Sequence, residues 1–150
     1  MKKSIATVAL RGTLPEKLEA IAASYFDGVE IFEPNLEAWD GTPRDIRRLA
    51  TDLGLTIDLY QPLRDFEGVG DERFEQNLAR AESVFDVMGE LGAPLLLVCS
   101  NAGDGVSGDV ERMAAQLFEL AERAARRGLR IGYEALAWGK QQGTDRKEGE

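Results

Sequence analysis

The side chains of this sequence best suited to chemistry are oxygen donors and one guanidinium, spread over four short segments. Glu134 lies in the run Arg130 to Trp138 (RIGYEALAW), Arg64 and Gln61 lie in QPLRDFEG, Ser100 and Asn101 follow an apolar run that ends at Cys99, and Glu30 sits inside GVEIF. A carboxylate is an oxygen ligand for a hard divalent cation, and a guanidinium fork grips a carboxylate through two parallel hydrogen bonds. Gln61, Ser100 and Asn101 suit hydroxyl recognition. The chain has no histidine and one cysteine, which excludes Cys/His zinc sites, Ser/His and Cys/His nucleophilic pairs, and an intramolecular disulfide.

Each candidate has a plainer alternative. Arg64 has Asp65 and Glu67 within three residues as ion-pair partners. Gln61 could cap a loop. Glu30 alternates with Val29 and Ile31, so it faces away from them, where it orients a ligand or a basic partner, or forms a structural ion pair. Glu33 reads as a solvated loop residue, and Cys99 as a small buried apolar one. Trp138 either walls a site or packs in the core. The glycine-rich SNAGDGVSG after Cys99 has neither the Gly-Lys-Ser/Thr nor the G-x-G-x-x-G spacing of a phosphate-binding loop.

Whether these residues meet depends on the elements that carry them. Short β-rich runs alternate with longer helical ones. Strands are expected at Ser4 to Leu10, Gly28 to Phe32, Leu55 to Tyr60, Pro94 to Cys99 and Leu129 to Glu134. Helices are expected from Thr13 to about Ser24, Thr42 to Leu53, Asp71 to Leu91 and Asp109 to Arg127. The first two open on T-x-x-E and T-x-x-D, each with proline in the first turn, and Gly54, Gly92 and Gly128 follow the ends of the last three. Gln61 to Gly70 is a loop of functional length.

An order of β-α-β-α-β-α-β-α-β predicts right-handed crossovers and a parallel sheet. The connections that follow strands are the longer, more polar ones, so the candidates gather at the carboxyl ends of the strands, where parallel α/β folds bind ligands.

From Ser4 to Trp138 the chain resembles the sugar phosphate isomerase/epimerase superfamily of xylose-isomerase-like TIM barrels, in FDGVEIFE at Phe26 to Glu33. It is similar in particular to the bacterial 3-dehydroshikimate dehydratase family, in SIATVALRGTLPEKLEAIA from Ser4, QPLRDFEG from Gln61, LLLVCSN from Leu95 and GYEALAWG from Gly132. The resemblance implies metal-dependent removal of water from 3-dehydroshikimate to give protocatechuate, with Mg, Mn or Co as the metal. Glu134 matches the first metal ligand. Arg64, Gln61, Glu30, Ser100, Asn101 and Trp138 become the candidates for substrate binding. A sugar phosphate or hydroxypyruvate isomerase or epimerase is the alternative within the superfamily.

A TIM barrel has eight strands and typically about 250 residues. The expectation for this chain is therefore a partial α/β barrel of about five parallel strands and four helices over residues 1–138, with a disordered hydrophilic tail at 139–150. The remaining ligands and acid/base groups of the family would lie beyond Trp138. Dehydration by this chain is then expected to be lost or much reduced, and the metal not held by it alone. A reading from another class is a non-catalytic half-barrel that self-associates as a homodimer through exposed sheet edges.

Composition agrees with a small-molecule function. A formal charge of −9 disfavours nucleic-acid backbones. With 43% hydrophobic and 30% charged residues and no long apolar run, a membrane span is not expected. With no export signal visible and a single cysteine, the expected location is the cytoplasm.

Overall fold

The computed structural model describes residues 1–136; Trp138 and the tail at 139–150 lie outside them. Five strands, β1 (Ser4–Ala6), β2 (Gly28–Phe32), β3 (Thr56–Leu63), β4 (Leu95–Cys99) and β5 (Arg130–Glu134), form one sheet in sequence order. All four neighbouring pairs are parallel. Sequential order with right-handed crossovers puts every helix on the same side of the sheet and leaves the other side as the lining of a barrel. A doubly wound sheet would need the order to reverse.

The helices are α1 (Leu14–Ala23), α2 (Glu33–Glu37), α3 (Pro43–Asp52), α4 (Asp71–Leu91) and α5 (Val110–Arg126). Both expected capping boxes form. The Thr13 and Glu16 side chains exchange hydrogen bonds with each other's backbone N–H, as do those of Thr42 and Asp45, satisfying donors that a helix start leaves bare. α4 stops at Gly92, whose φ of 75° is the left-handed cap.

The structure corrects the expected elements in three places. A fifth helix, α2, follows β2 directly, where a loop was expected; its Pro34 tolerates a first turn, and Leu36 is buried. β1 ends at Ala6, not Leu10, because Thr7–Ala9 turn into a 3₁₀ helix and the buried Thr7 hydroxyl accepts a hydrogen bond from Phe32 N. β3 runs on to Leu63, so that Gln61 pairs with Phe32 and Leu63 with Val98.

Burial divides the sheet by face. Val29, Ile31, Ile57, Leu96 and Val98 are sealed in one core with Leu18, Ile21, Ile46, Leu78, Phe85, Met88 and Leu120 from the helices. On β4, Leu95 and Leu97 alternate with these residues and are only partly buried. The sheet thus has one apolar face under helices and one barrel-lining face that carries Glu30, Cys99 and Glu134.

The loop from β3 to α4 turns back into the protein, which buries Phe66 and Glu67 completely. Its backbone polar groups need partners once water is excluded, and two helical amides supply them. Asn77 Nδ2 donates to the carbonyls of Asp65 (3.0 Å) and Phe66 (2.9 Å). Gln116 Oε1 accepts from Gly68 N (2.8 Å) and Val69 N (3.3 Å), while its Nε2 donates to Val69 O (2.8 Å). Gly68 adopts φ 74°, and a Cβ there would meet Val106 Cγ1 at 2.7 Å, so this position needs glycine twice over.

Replacing Gln116 by leucine keeps the volume close but strands three backbone groups, at a cost of about 1 kcal/mol or more for each. Gln116→Leu should therefore destabilise the chain by about 3 kcal/mol in urea unfolding followed by circular dichroism. An unchanged midpoint would show that the clamp carries no stability.

Candidate functional site

The candidates converge on the carboxyl ends of β2 to β5, on the barrel-lining face. β5 delivers Glu134 because its register places Gly132 opposite Leu97 and Glu134 opposite Cys99. The Cys99 thiol points at Glu134 Oε2 across 3.7 Å. Burial pushes that thiol above its ordinary pKa, the neighbouring carboxylates of Glu134 and Glu67 push the same way, and the Arg64 guanidinium opposes them. Arg64, Cys99, Glu134 and Glu67 therefore share one electrostatic neighbourhood.

Arg64 is exposed, and among the described residues it forms no ion pair, either with Asp65 or with Glu67. What fixes it is its main chain: Arg80 Nη2 donates to the Arg64 carbonyl at 2.5 Å. Its head group makes no hydrogen bond among the described residues. One strand over, Gln61 Nε2 donates to Glu30 Oε2 at 2.9 Å, so these two half-buried side chains form one polar unit between β3 and β2. Glu30 finds an amide there, and no ion pair among the described residues.

Ser100 and Asn101 sit at the mouth, and both hold backbone. Ser100 Oγ accepts from Leu136 N at 2.8 Å, and Ser100 N donates to Glu134 O at 2.9 Å, so this residue ties the β4 end to the chain leaving β5. Asn101 uses its backbone N on Glu67 Oε1 (2.7 Å), its Nδ2 on Glu67 O (2.8 Å) and its Oδ1 on Gly103 N (3.0 Å). With those bonds made, Asn101 lines a hollow of about 410 Å³ with Asp65, Val69 and Arg73. Trp138 lies outside the described residues.

A divalent cation of the Mg, Mn or Co kind takes about six oxygen-rich ligands. Glu134 fits such an ion: its carboxylate is exposed at a strand end and has no cationic partner among the described residues. The described residues hold no group of three or more Asp, Glu, Cys or His able to coordinate a metal together. Glu134 could thus be one ligand of a set whose other members are elsewhere.

Residues 18–148 match the family model described as xylose isomerase-like TIM barrel. The chain belongs to that family. It is 64% identical over 144 residues to a 3-dehydroshikimate dehydratase of Pseudomonas aeruginosa and 57% identical to one of Pseudomonas putida, in each case over 96% of this chain and 23% of the relative. A solved xylose isomerase-like TIM barrel/4-hydroxyphenylpyruvate dioxygenase fusion protein superposes with a TM-score of 0.91 at 58% identity, over 93% of this chain and 22% of that one. The chain thus spans about a quarter of the length of these relatives.

Three features of the site lay outside the sequence reading. Glu67 was weighed only as a partner for Arg64, yet it is fully buried and bonded to Asn101 and Tyr133. Asn77 and Gln116 had a readable signal: each stands three residues after an apolar stripe residue, Phe74 or Met113, and so interrupts the stripe. A polar side chain there must find a buried partner. Glu33, expected as a solvated loop residue, is half-buried at the start of α2 and accepts from Tyr60 Oη at 3.3 Å. Glu33 and Tyr60 line a hollow of about 510 Å³ with Trp39 and Arg80 on the helix side of the sheet. Another hollow, about 700 Å³ between α3 and α4, lies by Arg47, Phe85 and Arg127 and away from the strand mouths.

Burial raises the Glu33 pKa above the ordinary carboxylate range, with Glu37 adding to the effect and Tyr60 and Arg80 opposing it. A carboxyl whose folded pKa is raised binds its proton more tightly in the folded state, so it favours folding at low pH and disfavours it once pH rises through that pKa. Glu33→Gln keeps an acceptor for Tyr60 and removes the charge. It should raise the melting temperature at pH 7, and the gain should vanish below about pH 4, where both forms are neutral. A gain that persists at pH 3 would show that charge burial is not its cause.

Proposed function

We propose that this chain forms the first five strands of a divalent-metal-dependent 3-dehydroshikimate dehydratase barrel and supplies part of its site. The observation that carries the reading is the placement of Glu134, an exposed carboxylate at the barrel-lining end of β5, next to a Cys99 thiol on which the Arg64 head group also acts. The relatives named for this activity are 64% and 57% identical over nearly the whole chain. A cytoplasmic location belongs to the same proposal and rests on the single, buried Cys99.

In this reading Arg64 binds the substrate carboxylate, with its loop backbone held by Arg80. Gln61, oriented by Glu30, hydrogen-bonds a ring hydroxyl. Ser100 and Asn101 shape the mouth at the ends of β4 and β5, and Trp138, which lies outside the described residues, remains a candidate for substrate binding. Glu134 is one oxygen ligand of the metal; Mg, Mn or Co, when bound, would neutralise charge developing on the substrate's carbonyl oxygen as the neighbouring proton leaves. The described residues hold no group of three or more such ligands, and in this reading the rest of the ligand set comes from further strands, so that the 150-residue chain by itself dehydrates little or no substrate.

The test has two arms. The chain alone, titrated with Mn²⁺ in a calorimeter, should show no tight stoichiometric binding; such binding would mean that it completes a site by itself. Joined to the remaining strands of the P. aeruginosa relative, it should convert 3-dehydroshikimate to protocatechuate, read by ultraviolet absorbance. In that barrel Glu134→Gln should cut kcat roughly 100-fold, and Arg64→Lys should mainly raise KM. Activity that survives Glu134→Gln would remove Glu134 from the ligand set.

A non-catalytic self-associating form has one observation in its favour. Among the described residues β1 and β5 are each paired on one side only, and Tyr133 on β5 is 45% exposed. Unpaired edges template further pairing. Light scattering should then find the isolated chain as a dimer or larger, whereas a stable monomer would argue against edge pairing.

A further inference from the structure

Glu67 is the one carboxylate of this mouth that lies wholly inside the protein, at 0% exposure. Its Oε1 accepts two hydrogen bonds, from Asn101 N at 2.7 Å and from Tyr133 Oη at 3.0 Å. Its own main-chain carbonyl accepts a third, from Asn101 Nδ2 at 2.8 Å. These bonds join the β3–α4 loop to the first residues after β4 and to the last turn of β5. Its Oε2 has no partner among the described residues.

That orphan oxygen is informative. A fully buried carboxylate with one bare oxygen is costly, and an apolar side chain next to Phe66 would serve packing alone. Its retention makes sense if the bonds of Oε1 matter for something other than stability. Tyr133 and Glu134 are adjacent on a strand, so their side chains leave opposite faces; holding the Tyr133 hydroxyl behind the sheet fixes the backbone that aims Glu134 in front of it. Just after β4 the same oxygen holds Asn101, next to Ser100, whose N–H and Oγ bond the chain around Glu134.

We propose that Glu67 is the positioning residue of this site: through Tyr133 and Asn101 its Oε1 holds the carboxyl ends of β4 and β5 in one register and so sets where Glu134 stands. The inference deepens the reading of Glu134 as a metal ligand and rests on it for its functional consequence. Its structural part requires no metal. Partners that orient a ligand from behind typically change metal affinity by about 10- to 100-fold when removed.

Two variants test it. Tyr133→Phe removes one hydroxyl, and Glu67→Leu removes the acceptor, while Glu67→Gln keeps an acceptor at Oε1 and serves as the conservative rescue. In the 150-residue chain, amide hydrogen exchange at Ser100 and Leu136 should be about tenfold faster or more in Tyr133→Phe and Glu67→Leu. Exchange at Leu96 and Val98 should stay at the wild-type rate, and Glu67→Gln should restore most of the protection. In the completed barrel, Tyr133→Phe should weaken Mn²⁺ binding about tenfold and leave KM for the substrate at saturating Mn²⁺ unchanged. Wild-type exchange at Ser100 and Leu136 in both Tyr133→Phe and Glu67→Leu would overturn the inference, as would acceleration spread uniformly over β4, which marks global destabilisation. If the wild-type barrel binds no Mn²⁺, the metal reading fails, and the exchange measurement still decides the role of Glu67.

Discussion

Everything at the mouth of this sheet depends on how one irregular segment was brought inside. The loop after β3 carries Arg64, and its next turns bury Phe66 and Glu67 completely. A strand or helix pairs its own backbone, whereas a buried loop must borrow partners. Asn77 and Gln116 lend their amides from α4 and α5, and Ser107 N bonds Gly68 O at 2.8 Å from the next loop along. Because those amides stand on regular helices packed in the core, the loop inherits their rigidity. Arg64 is exposed and without an ion pair among the described residues, yet the chain beneath it is fixed from three sides.

The same economy separates the two faces of the sheet. Sequential parallel strands with crossovers of one hand commit all helices to one face, so the hydrophobic core can be completed there by Val29, Ile31, Leu96 and Val98 with no contribution from the other face. Polar residues then cost little on the barrel side. Glu30 and Gln61 satisfy each other, and Glu134 needs only solvent and a weak thiol contact. The candidate residues are therefore confined to a face on which folding makes few demands, and gathered toward the strand ends, where the backbone leaves the ladder and side chains can be aimed.

How much of this could be read from the residues follows from the range of the forces involved. Capping boxes, left-handed glycine stops and apolar stripes are local, so α1, α3, α4 and the order of the strands follow from neighbours in the chain. The elements that went astray were decided at long range. β3 outruns Tyr60 because Gln61 finds Phe32 across the sheet, and β1 stops at Ala6 because the Thr7 hydroxyl is taken by Phe32 N. α2 is five residues long and has no side-chain cap to announce it. At the site, residue types such as Glu134 and Arg64 stood out through strand-end position and motif. Glu67 did not: a single carboxylate between a phenylalanine and a glycine has no periodic signature, and its partners are 34 and 66 residues away.

Electrostatics explains why one carboxylate at this mouth is exposed and another buried. Glu134 and Glu67 both act on the Cys99 thiol in the same direction, and Arg64 acts against them; two negative groups and one positive group thus share a small region. Burying both carboxylates would add two desolvation costs and their mutual repulsion. In this arrangement Glu67 is met by two donors, the Asn101 backbone N–H and the Tyr133 hydroxyl, while Glu134 stays exposed to water. Oε1 of Glu67 is taken up by the protein and its Oε2 is buried away from solvent, whereas the Glu134 carboxylate is exposed and meets only the Cys99 thiol among the described residues. The contrast between a bonded carboxylate behind the sheet and an exposed one in front follows from where each finds its hydrogen bonds.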